Sequence, residues 1–166
     1  MNNRRDSLQQ LTEQVNALIA CLRSINTPSI MVYTLWSAKD VLCHITFWHE
    51  SFARNLRAVA NHDHPSPLKG SLETLNQQGV DELRPLSVDS LIDRLLAAHA
   101  AIECHILDPS IGLIPYRKGS RSYTPEEHLE IVRVHLRKHI ADIYSAIHGT
   151  KISSGPSAYS GKPIPE

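Results

Sequence analysis

Four segments of the chain carry apolar residues at steps of three and four, and no segment alternates apolar with polar residues over the length of a strand. Leu8, Leu11, Val15, Leu18 and Leu22 make the first stripe, and Val41, Ile45, Trp48, Phe52 and Leu56 the second. Val88, Ile92, Leu95, His99, Ile102 and Ile106 make the third. The fourth runs through Ile131, Val132, His135, His139, Ile143 and Ala146. A helix with one apolar face must cover that face against a neighbour, and four such helices cover one another most economically as a bundle. The expected class is therefore all-α, a four-helix bundle.

Punctuation in the sequence sets the boundaries. Ser7 begins the Ser-x-x-Gln box "SLQQ", which predicts a first helix from Ser7 to Ser24, stopped by Pro28 in "NTPS". "SAKD", Ser37 to Asp40, opens the second helix, which runs to about Ala60 before "NHDHPSP" breaks it. A long connection from Asn61 to Leu86 follows, with one short helix predicted over Ser71 to Leu83; such a length marks a crossover or a functional loop. The third long helix is expected from Ser87 to Leu107, ended by "DPSIG". The fourth has the strongest start: Thr124 as N-cap, Pro125 in the first turn, and Glu126 and Glu127 against the helix dipole. It is expected to reach Ile147, so that residues 1–150 form the bundle and the Ser-, Gly- and Pro-rich residues 151–166 a loosely held tail.

Composition narrows the function. Lysine plus arginine and aspartate plus glutamate both number 17, which removes the basic excess of a nucleic-acid binder. Three cysteines, Cys21, Cys43 and Cys104, lie in helical patterns without a CxxC spacing and read as reduced thiols. The N-terminal "MNNRRDSLQQ" has no apolar signal region, and no run approaches a membrane span. A cytoplasmic protein without membrane or nucleic-acid partners is the expectation.

Histidine placement carries the chemistry. His135 and His139 stand one helical turn apart on the apolar side of the last helix, and His44 shares the stripe of Val41 and Trp48 on the second. Three neutral imidazoles from two facing helices suit Zn, Ni or Fe and leave coordination positions open, as a catalytic site requires. The competing reading is that these histidines pack and hydrogen-bond in the core. "HLRKH" has Leu136 where an H-E-x-x-H protease carries its general base, which excludes that mechanism. His49 falls one residue past the stripe of its helix, and His128 is two turns from His135, about 10 Å along the axis, too far to share an ion. His99, on the third stripe, reads first as a buried hydrogen-bonded residue, with an outer partner or a fourth ligand of the site as the alternatives. His62 and His64 in "NHDHP" read as incidental, and Cys43 as a packed thiol.

"LWSAKDVLCHITFWHESF" in the second helix, taken with "HLEIVRVHLRKHIADI" in the last, resembles the DinB/YfiT-like superfamily of four-helix bundles. Metal-bearing members of that superfamily take one histidine from a tryptophan-then-histidine pattern in the second helix and an H-x-x-x-H pair from the last. Trp36 and His44, then His135 and His139, fall on those positions, and the resemblance spans about Ser7 to Ile147. It implies a divalent metal, and in some members a low-molecular-weight thiol activated for transfer or isomerisation; others are stress-inducible or self-resistance proteins. The loop "IPYRKGSRSYTPEE" supplies Arg117 and Arg121 around Gly119 and Ser120, a pair suited to an anionic substrate or to the carboxylates of a thiol cofactor.

The expected function is thus metal-dependent thiol transfer to, or hydrolysis of, a small electrophilic molecule. Two alternatives stand beside it: a protein that sequesters a small molecule, and a structural homodimer without catalysis.

Overall fold

A computed structural model describes residues 3–149. Five helices follow one another: α1 (Arg4–Ser24), α2 (Ala38–Ala60), α3 (Leu72–Leu83), α4 (Val88–His105) and α5 (Pro125–Ile147). Among the described residues, extended pairing is confined to three isolated bridges. The chain is all-α, with four long helices forming the bundle and the short α3 riding in the long connection between the second and third of them. The proposed tail, residues 151–166, lies outside the described residues.

Every helix opens on a side chain that accepts from a backbone N–H three residues on: Asn3, Ser37, Ser71, Ser87 and Thr124. Each satisfies one of the free donors of the first turn, and in α2 and α5 Asp40 and Glu127 complete reciprocal boxes. One expectation needs correction here. The cap of α1 is Asn3, not Ser7, which is buried a turn inside the helix. Arg4 can therefore reach across to Glu126 (2.8 Å) and to the carbonyl of Asp108 (2.7 Å), which fastens the start of α1 to the end of α4 and the start of α5.

Arg84 pairs with Asp40 at 2.8 Å and Arg94 with Glu50 at 2.7 Å, so α2 and the chain entering α4 advance in the same direction with constant register. The long connection makes this possible by returning the chain along the length of the bundle. It is anchored on the way, since Lys118 N–H donates to the carbonyl of Leu68 (2.8 Å) and Trp48 Nε1 donates to Asn76 Oδ1 of α3 (2.8 Å). The core is filled by Leu11 and Leu18 of α1, Leu42 and Leu56 of α2, and Leu91, Ile92, Leu95 and Ile102 of α4, all fully buried. Each contributes about 1.5–3 kcal/mol by leaving water. By contrast α2 and α5 meet sparsely, and the gap between them is where the polar residues collect.

Candidate metal centre

His44 lies in the second turn of α2, and His135 and His139 lie on consecutive turns of α5. Their ring nitrogens converge: His44 Nε2 is 3.0 Å from His135 Nε2, and His139 Nε2 is 2.8 Å from the same atom. One ligand atom from each of the three lies within 4.8 Å of the others. Tetrahedral ligands about 2.0–2.1 Å from a zinc ion stand about 3.4 Å apart, so the rings fit an ion after opening by a few tenths of an ångström. Trp36 covers His44, with ring centroids 5.1 Å apart, and shields one flank of the cluster.

Electrostatics favour the neutral, coordinating form. Burial, and then the neighbouring imidazole of His135, hold His44 and His139 well below the ordinary histidine pKa. Burial and then the Lys138 ammonium push His135 down to about 4. All three rings are therefore uncharged near neutrality and need lose no proton to bind a cation.

The hydrogen bonds behind His139 fix which of its nitrogens faces the cluster. The Tyr33 hydroxyl is 2.5 Å from Asp142 Oδ2 and 2.7 Å from His139 Nδ1. Burial, followed by the Asp142 carboxylate, raises the Tyr33 pKa, so the phenol keeps its proton and donates it to Asp142. Its lone pair then accepts from His139 Nδ1–H, and Nε2 is left as a lone pair aimed at His135. Such outer partners set tautomer and ring orientation in histidine metal sites. His44 Nδ1 is buried and has no such partner.

Residues 8–105 match the family model of the mycothiol maleylpyruvate isomerase N-terminal domain. The chain belongs to this family. The matched segment runs from within α1 to the end of α4 and contains His44, while His135 and His139 lie beyond it on α5, so the cluster itself rests on the geometry. Together they support the expected resemblance at the level of a DinB-related bundle carrying a three-histidine cluster. No curated protein and no solved structure matches the chain. No described helix of this family member is long and apolar enough to cross a membrane.

Beside His135, between α2 and α5, lies a cavity of about 20 Å³, room for about one water. Ile45, Trp48, Tyr116, Ile131 and Leu136 form its apolar wall, and His49 and His128 add two imidazoles to it. The stripe had placed His49 outside the core, yet it is 1 % exposed, because α2 is enclosed around most of its circumference by α3, α4 and α5. His128 is equally enclosed and stacks on Phe52 at 3.8 Å between ring centroids. Burial pushes both rings down to about 3.

The loop before α5 reaches this cavity through Tyr116, which stacks on Trp48. Its two arginines already have protein partners. Arg121 makes a fork to Glu127 (3.0 and 3.1 Å) and lies over the Tyr123 ring, while Arg117 donates to the carbonyl of Gly70 (2.8 Å). His99 is buried and hydrogen-bonded, the packed role expected of it, and Cys43 is a buried thiol pushed up to about 11, first by burial and then by Asp40. His62 and His64 are exposed in the turn after α2.

Proposed function

We propose that this chain is a metal-dependent enzyme acting on a small electrophilic molecule, with His44, His135 and His139 holding one divalent ion of Zn, Ni or Fe. The observation that carries the reading is the convergence of three neutral Nε2 atoms, one of which belongs to His135, a residue that also lines the cavity between α2 and α5. Three protein ligands leave a position for an exogenous group, the arrangement of catalytic rather than structural sites. When bound, the ion would act as a Lewis acid that lowers the pKa of a thiol or water held there.

A low-molecular-weight thiol is the preferred nucleophile. The family's own name joins a thiol, mycothiol, to an isomerase, and the cavity wall is apolar enough to suit a sulfhydryl. The residues of this chain would orient rather than react: Tyr33 and Asp142 hold His139, Trp36 flanks His44, and Trp48 and Tyr116 close the far end. Arg117 and Arg121 are proposed to meet the carboxylates of such a thiol, or an anionic substrate, with Arg121 exchanging its Glu127 partner for the ligand. Hydrolysis by an activated water is the second outcome open to the same site.

Elemental analysis of protein purified without a histidine tag should return one ion per chain. Metal-loaded protein should then speed consumption of a chromogenic aryl halide by a panel of small thiols, and His44→Ala should lose both ion and acceleration. Stoichiometric metal with neither thiol consumption nor hydrolysis would replace the enzyme by a sequestering protein.

A further inference from the structure

Of the two additional imidazoles on the cavity, His49 leads out of it. Its Nδ1 is buried without a partner, while its Nε2 is 3.1 Å from Nδ1 of His99 on α4. Nε2 of His99 is in turn 2.8 Å from Oγ1 of Thr12 on α1, and that hydroxyl is 3.2 Å from Oε1 of Glu103. Glu103 is exposed on the outer face of α4, with 45 % of its side chain in water. The chain thus crosses the bundle from the cavity beside His135 to the surface through three helices.

Chemistry gives the chain a direction. The Thr12 hydroxyl has one proton and two acceptors that compete for it, the Glu103 carboxylate and the carbonyl of Leu8 at 3.1 Å. With the proton on either oxygen a lone pair faces His99, which then donates from Nε2; the reverse bond, hydroxyl to Nε2, is disfavoured by the carboxylate 3.6 Å from that nitrogen. Nδ1 of His99 is then an acceptor, so His49 donates from Nε2 and keeps a bare lone pair on Nδ1. The opposite assignment would bury an unpaired N–H instead, with nothing to favour it.

We propose that His49, His99 and Thr12 form a proton wire between the cavity beside His135 and Glu103 at the surface. A group ionising in the cavity breaks its S–H or O–H bond and gives the proton to His49 Nδ1. His49 passes its Nε2 proton to His99 Nδ1, His99 passes its own to Thr12 Oγ1, and the threonine proton goes to the Glu103 carboxylate and on to water. Each ring gains one proton and loses one, so no imidazolium has to persist. That matters because burial leaves His49 a very weak base, with a pKa of about 3.

The passage leaves both rings in the reverse tautomer, and only flow in the other direction restores them. The wire therefore suits a reaction that removes a proton and later returns one to its product, as thiol addition or isomerisation does. This preference rests on the proposed metal function. The wire itself does not, since it needs only the cavity and the four residues.

The test reads the ring nitrogens of the full chain, labelled with nitrogen-15, without metal or substrate. Two-bond nitrogen–proton correlation should show Nε2–H tautomers for His49 and His99, and saturation transfer from water should show their ring protons exchanging. Thr12→Val removes the hydroxyl at constant volume and should slow the His49 exchange by about an order of magnitude, while Thr12→Ser restores it. An Nδ1–H tautomer on either ring in the wild-type chain, or exchange unchanged by Thr12→Val, would overturn the proposal. Metal content, measured separately, decides the enzyme reading without touching this one.

Discussion

The Tyr33 hydroxyl stands between His139 Nδ1, at 2.7 Å, and Asp142 Oδ2, at 2.5 Å. It joins the segment before α2 to the last turns of α5. Because a carboxylate only accepts, the phenol must donate to Asp142 and receive from the imidazole, and a residue with no apolar pattern around it sets the tautomer of a proposed ligand.

Tyr33→Phe should therefore weaken zinc binding by about 10–100-fold while leaving one site per chain. Asp142→Asn should do the same to a smaller degree, since its amide can turn its oxygen toward the phenol. Isothermal titration with zinc measures both, and affinities equal to wild type would make the Tyr33 contact a packing detail.

His44→Ala, His135→Ala and His139→Ala should each lose affinity more steeply than Tyr33→Phe and should resemble one another, because each leaves two ligands. His49→Ala and His128→Ala should keep stoichiometric metal. Added zinc should raise the melting temperature of the wild-type chain and of these two, and leave the three ligand variants unmoved.

Acid should unfold the metal-free chain well above the carboxylate range. His49 and His128 titrate near 3 when folded and near 6.5 when unfolded, so below 6.5 the unfolded state binds more protons. Their contribution to stability is complete above pH 6.5 and is lost progressively as pH falls toward 3. The slope approaches about 1.4 kcal/mol per pH unit per ring once pH is below 6.5, so the pair removes about 3 kcal/mol between pH 6.5 and 5. Replacing His128 by Phe should move the acid midpoint downward, and an unchanged midpoint by circular dichroism would show that other groups control it.

Gly79→Ala should destabilise although alanine is the better helix former. A Cβ at Gly79 would sit 2.6 Å from the Phe47 ring, where α3 lies against α2. Overpacking of that kind costs about 1–3 kcal/mol, more than the roughly 1 kcal/mol of helix propensity gained. The melting temperature should fall by a few degrees; a rise would mean that α3 shifts freely on α2.

Arg117 and Arg121 test the thiol reading from the other side. Replacing both by alanine should raise KM for an anionic thiol or substrate and leave kcat and metal content near wild type. Equal KM values would confine Arg121 to its Glu127 pair and Arg117 to the Gly70 carbonyl.

The bundle was legible in the sequence because it follows from local periodicity, and the three-histidine cluster because periodicity put each ring on a buried face and the family resemblance joined them. A stripe at steps of three and four must be buried, a Ser or Thr with a carboxylate three residues on must cap, and histidines four apart on such a stripe must share a face. Asn3 escaped notice because "SLQQ" offered an equally good cap pattern, and the contacts that fasten the added turn, from Arg4 to Glu126 and Asp108, are made with distant segments. Tyr33 and His49 were decided by tertiary structure alone. Tyr33 lies in a loop with no period, and its partners are more than 100 residues away. His49 sits off the stripe of α2 and became interior because α4 packs on that face, where its Nε2 meets His99, while His128, one turn before the first stripe residue of α5, is closed over by Phe52 and by Tyr116 of the loop before α5. Periodicity reports which face of a helix must be covered; which further faces are covered depends on contacts between distant segments, and one sequence does not encode those by spacing.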